Sequence, residues 1–67
     1  MKNNLNHWRH KLECNTVKDF ANIIGFNYTL VSRWLNHRTE PDIDSLIKIR
    51  DILRQYYPDV TLDDLIE

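Results

Sequence analysis

The only glycine in this 67-residue chain, Gly25, stands between two stretches of helical periodicity. Before it, Thr16 offers an N-cap oxygen, with Asp19 three positions on in a box-like arrangement. Val17, Phe20, Ala21 and Ile24 then repeat at the spacing of one helix face. Gly25 can take the left-handed conformation that stops a helix. After it, Asn27 caps a second helix, and Phe26 and Val31 stand where a hydrophobic staple would form. Two short helices joined by a tight turn are therefore predicted over about residues 16–36. The second helix divides into two faces. At about 100° per residue, Tyr28, Thr29, Ser32, Arg33 and Asn36 share an arc of roughly 140°, and Leu30, Val31, Trp34 and Leu35 share the opposite arc. One face can pack. The other is a row of hydrogen-bonding side chains around one arginine.

The rest of the chain reads the same way. Leu5, Trp8 and Leu12 make an apolar stripe, predicting a first helix from about Leu5 to Glu13. His37-Arg38-Thr39-Glu40-Pro41 is a connection, because Pro41 disfavours helical geometry at Glu40. Asp42 caps a fourth helix whose inward residues are Ile43, Leu46, Ile47, Ile49 and Leu53, reaching as far as Gln55 or Tyr56. Pro58 forces a break, and Thr61, with Asp64 at the box position, opens a last short helix. No alternating strand pattern, internal repeat or low-complexity tract occurs. The expectation is one all-α domain over residues 1–67 with five helices.

An apolar fraction of 42% is that of a folded protein. No run approaches the roughly 20 apolar residues of a membrane span, and no membrane association is expected. The first residues lack the apolar stretch of a secretion signal, and the single Cys14 has no internal disulfide partner, so a reducing cytoplasm is expected. The net charge of −1 is unevenly spread. Residues 1–40 hold six basic and three acidic residues, whereas residues 41–67 hold three basic and seven acidic ones. The half that contains the polar-faced helix is thus positive, which permits a polyanionic partner.

The order of these residues resembles the Cro/CI-type (Xre-like, lambda-repressor-like) helix-turn-helix domains of phage repressors and bacterial regulators. The resemblance runs from about Leu5 to Ile66. It is carried by Phe20-Ala21, Gly25, Val31-Ser32-Arg33-Trp34, Pro41, Leu46, Leu53 and the ending Val60-Thr61-Leu62-Asp63-Asp64-Leu65-Ile66. It implies a compact five-helix fold in which small Ala21 lets the third helix cross closely. It also implies that Asn27, Tyr28, Thr29, Ser32 and Arg33 read DNA bases, while Asn36, Arg38 and Thr39 touch phosphate. Three positions depart from the family pattern: Val17 where a phosphate-binding glutamine is common, Leu35 where a glutamate is common, and His37 where a glycine is common.

The implied function is a sequence-specific regulator of transcription, similar to the small Cro-like repressors of phages and mobile elements. Such proteins bind double-stranded DNA as homodimers, docking two helices about one DNA turn apart on an inverted repeat. Arg33 is the principal candidate, since a guanidinium can bond guanine O6 and N7 together. Tyr56, Tyr57, Leu62, Leu65 and Ile66, in the acidic end, are the candidate dimer surface. A second reading is a protein-interaction module that binds a partner repressor, as an antirepressor or corepressor, with Tyr28 and Leu30 on the binding face. A third is the antitoxin of a toxin pair.

Catalysis is not expected. Asp63, Asp64 and Glu67 are close carboxylates, but a terminal helix of so small a domain offers neither a pocket nor unequal environments. No phosphate-cradling glycine loop or nucleophile motif is present, and no cofactor is expected. His7, His10 and Cys14 recur at spacings of three and four, yet one face of one helix does not supply a closed tetrahedral site, so no metal is expected either.

Overall fold

The computed structural model describes residues 2–67 and is helical. Helices α1 (Leu5–Lys11), α2 (Val17–Ile24), α3 (Tyr28–Leu35) and α4 (Ile43–Leu53) are followed by a 3₁₀ turn, Leu62–Leu65. The fifth helix expected from sequence is therefore a single tight turn. Thr61 caps it in an extended conformation and Ile66 is drawn into a bridge with Asn3, leaving only four residues between them, too few for an α-helical ladder. Helix α1 also stops earlier than its apolar stripe suggested, and α4 ends at Leu53 rather than Gln55 or Tyr56.

Local chemistry sets most of these boundaries. Thr16 Oγ1 accepts from the Asp19 amide at 3.1 Å, Asn27 Oδ1 from Thr29 at 2.8 Å, and Asp42 Oδ1 from Ser45 at 3.0 Å. Each satisfies one of the orphan N–H groups at a helix start. Thr61 donates its amide to the Asp64 carboxylate at 2.9 Å, fastening the 3₁₀ turn.

The helix ends are equally specific. Gly25 terminates α2 at φ +76, and the Phe26 amide reaches back to Ala21 O at 3.1 Å. Two other helices use the same left-handed stop without glycine. Glu13 ends α1 at φ +59, with the amides of Glu13 and Cys14 returning to His10 O and Arg9 O. His37 ends α3 at φ +57, with the amides of His37 and Arg38 returning to Trp34 O and Arg33 O. Both are the paired hydrogen bonds of a Schellman stop, which favours glycine at this position.

The core is built from every element. Leu5, Phe20, Ile24, Val31, Ile49, Leu53 and Leu65 are fully buried. Around them lie Trp8, Ala21, Trp34, Leu35, Leu46 and Val60, together with Cys14, which follows α1 in the chain and behaves as a small buried hydrophobe. Burial raises the pKa of the Cys14 thiol, assisted by the charge of Asp19 against the opposing pull of Arg9. The expected inward stripe of α4 holds at Leu46, Ile49 and Leu53 but not at Ile43, which is 58% exposed. Ile43 is the first residue of α4, and only a groove lies beside it.

The beginning of the described chain is stitched to its end. Asn3 and Ile66 form an isolated antiparallel bridge, the Asn4 amide donates to Leu65 O at 2.7 Å, and the Glu67 amide donates to Lys2 O at 2.9 Å. The Trp8 indole Nε1–H donates to Asp64 O at 2.9 Å.

Candidate nucleic-acid interface

Helix α3 keeps the two faces that its sequence implies. Val31, Trp34 and Leu35 are buried and Leu30 is half-buried. Tyr28, Thr29, Arg33 and Asn36 are exposed, and Ser32 is half-buried between them. The Phe26 ring packs edge-on against Trp34, with centroids 5.1 Å apart, so the turn before α3 is anchored to the apolar face of the same helix.

The polar face has an internal order. Asn27 is committed to its capping bond with the Thr29 amide. The Asn36 side-chain amide donates to Ser32 O at 2.9 Å and approaches Ser32 Oγ at 3.4 Å, joining those two residues across one helical turn. Among the described residues no carboxylate pairs with Arg33 or Arg38; the ion pairs present are His37–Glu40 and Arg50–Asp51. Both guanidiniums are therefore exposed with donors unused by any carboxylate. Arg38 and Thr39 are exposed in the loop that follows α3.

The far end of α3 is held by α1 and the residues before it. Asn3, only 3% exposed, donates its side-chain amide to Trp34 O at 2.8 Å and to Glu40 Oε1 at 2.9 Å, while its Oδ1 accepts from the Leu5 amide at 3.0 Å. Its backbone amide also reaches Glu40 Oε1, at 2.7 Å. Asn6 donates to Leu35 O at 2.9 Å. With the two Schellman bonds and Asn36, these contacts satisfy the last four carbonyls of α3, from Ser32 to Leu35. The exposed face is thus presented by a helix fixed at both ends.

Glu40 is the hub of that clamp. Burial pushes its carboxyl pKa up, but hydrogen bonds from the Asn3 side chain and backbone, and from His37, outweigh this and hold it below the usual glutamate value. His37 Nδ1 lies 3.5 Å from Glu40 Oε2. Hydrogen bonds from the hydroxyl and amide of Ser45 likewise hold Asp42 below the usual aspartate value.

One basic residue beside the turn before α3 was not singled out from sequence. Lys48 belongs to α4, in the acidic half, yet its ammonium lies 5.2 Å from the centroid of Phe26 in the turn before α3. The contact joins elements far apart in the chain, so spacing gave no signal for it.

The five candidate dimer residues are not brought together. Leu65 is fully buried. Tyr57 packs its ring on Trp8, 5.7 Å between centroids, and its hydroxyl donates to Lys11 O at 3.0 Å. Leu62 and Ile66 line a groove on a different side from the Tyr57 contact, which borders its own recess with His7 and Trp8. Only Tyr56, 53% exposed, projects freely. Leu65 cannot offer surface to a second subunit without leaving the core.

Among the described residues no group of three or more side chains could hold a metal ion, and no helix is long and apolar enough to cross a membrane. Compared with family models, with curated proteins and with solved structures, the chain matches none.

Proposed function

We propose that this chain is a sequence-specific DNA-binding regulator of transcription, built as a helix-turn-helix domain of Cro/CI type. In this reading it resembles a small Cro-like repressor of a phage or mobile element. The single observation that carries the reading is the exposed face of α3, where Arg33 has no carboxylate partner among the described residues and stands among Tyr28, Thr29 and Asn36. A rigid helix with one face in the core and a polar face free is what major-groove reading requires. Arg33 bonds a guanine edge, worth about 1–3 kcal/mol of discrimination. Thr29, Ser32, Tyr28 and the cap residue Asn27 face neighbouring bases. Arg38, Thr39 and Asn36 meet phosphate where α3 ends, and Lys48 adds positive charge near its start. A monomer reads only a few base pairs, so two copies act together on an inverted repeat, with Tyr56 the most exposed of the candidates for contact between them.

The test is selection from a randomised DNA pool by the wild type and by Arg33→Ala. The expected outcome is an enriched inverted repeat that the variant no longer prefers at one base pair of each half. Arg38→Ala should instead weaken all sequences alike and flatten the salt dependence by about one phosphate contact, a slope change near 0.9. Failure of the folded wild type to enrich any sequence removes the reading. It then favours the second one, a module that binds a partner repressor, which draws its support from the exposed ring of Tyr28 on the same face.

A further inference from the structure

A groove of about 370 Å³ lies between the start of α4 and the 3₁₀ turn, away from the exposed face of α3. Pro41, Ile43, Leu46, Leu62 and Ile66 line it, with Asn3 and Glu40 at one end. It is open to water along the bank formed by Ile43, whose 58% exposure is the largest among the big apolar side chains. Its polar groups are already engaged: the Asn3 amide in bonds to Trp34 O and Glu40, and Glu40 Oε1 in accepting both Asn3 donors. A small polar ligand would find few free groups to orient it. Apolar side chains from outside would find a lined slot.

Charge decides what carries those side chains. The three segments that bank the groove, 2–4, 40–46 and 62–67, hold Glu40, Asp42, Asp44, Asp63 and Glu67 against the single base Lys2, while Asp64 borders the recess of Trp8 and Tyr57. A second copy docked by two-fold symmetry would set this rim against itself, and like charges brought together oppose association. DNA is repelled for the same reason. We propose that this groove docks a segment of another protein that inserts apolar side chains and flanks them with lysine or arginine.

This surface stands apart from the proposed DNA face, and its test does not depend on DNA binding. Random twelve-residue peptides displayed on phage are selected on the full immobilised chain, and enriched peptides are resynthesised for affinity measurement. The expected winners carry one or two large apolar residues beside Lys or Arg. Ile43→Arg should weaken them at least tenfold while leaving the thermal midpoint close to wild type, because Ile43 is exposed. Asp44→Lys, which spares the apolar lining, should weaken them severalfold and reduce their salt dependence. The proposal is overturned if no peptide is enriched, if the winners are acidic, or if either variant binds them as the wild type does. It is equally overturned if sedimentation shows the chain dimerising and Ile43→Arg abolishes the dimer, since a second copy would then occupy the groove.

Discussion

Replacing Asn3 with alanine should be among the most damaging single changes to a side chain outside the apolar core. Three hydrogen bonds disappear together: the acceptor for the Leu5 amide, the donor to Trp34 O, and the side-chain donor to Glu40. Their survivors differ. Trp34 O keeps the His37 amide at 3.2 Å, and Glu40 keeps the Asn3 backbone amide. The Leu5 amide, on a fully buried residue at the first position of α1, loses its partner. An orphaned buried donor costs about 1–3 kcal/mol and each of the two other bonds about 0.5–1.5 kcal/mol, so the total is about 2–6 kcal/mol. For a domain this small the thermal midpoint should fall by roughly 10–45 °C. Circular dichroism melts at pH 7 measure it. Asn3→Asp is the sharper companion. It retains the acceptor for Leu5 but loses both donors and sets a second carboxylate against Glu40 and Trp34 O. Facing like charges raise the folded-state pKa values of that pair, so the folded state binds protons more tightly than the unfolded one. Asn3→Asp should therefore gain stability as the pH falls from neutral toward about 4, where the wild type does not. An Asn3→Ala midpoint within 2 °C of wild type (about half a kcal/mol or less at this size) would refute the clamp as a source of stability.

Other outcomes follow from the same geometry. Glu40 and Asp42 are depressed in the folded state, so the stability they contribute is complete above the ordinary carboxylate range and is lost as pH falls through their lowered values. The wild-type midpoint should thus decline below about pH 4.5, and Glu40→Gln should show a shallower decline over the same melts. Glu13→Gly and His37→Gly should each stabilise by about 0.5–1 kcal/mol, the left-handed strain of about 1–2 kcal/mol less the entropy glycine adds to the unfolded chain. Alanine at either site, which retains Cβ, should give no such gain in a urea titration. Trp34→Ala should cost about 3–5 kcal/mol and leave the chain largely unfolded at room temperature, as seen by loss of near-ultraviolet dichroism.

What sequence disclosed and what it hid divide along a physical line. Caps at Thr16, Asn27, Asp42 and Thr61 depend on neighbours within three residues, and so do the stop at Gly25 and the two faces of α3. Each was legible because its cause is local. The clamp by Asn3 was not, since its partners lie 31 and 37 residues away and an asparagine near a terminus gives no sign of burial. Periodicity alone put Ile43 inside, because its spacing to Leu46 matches the core stripe; whether any element covers the first turn of α4 is a question of packing. The dimer candidates are scattered for the same reason. Tyr57, Leu62 and Leu65 share a segment of sequence, but the loop around Pro58 and the tight turn after it send their side chains to three different surroundings.

The seam between residues 2–4 and 65–67 also fixes an order of assembly. Helix α1 is synthesised first, yet the acceptors for Trp8 and Asn4 at Asp64 O lie 56 and 60 residues later. Closing a loop of that length costs about 3.5 kcal/mol of chain entropy beyond a constant term, far more than joining α2 to α3 across a three-residue turn. During translation α1 therefore waits without its seam partners until the last residues of the domain have cleared the ribosome, while α2, α3 and α4 can already pack. A chain shortened before Thr61 would hold its first helix only by the Asn3 and Asn6 bonds to the α3 end, with the Trp8 indole N–H left without its acceptor and the apolar stripe of Leu5 and Trp8 the part most open to chaperones.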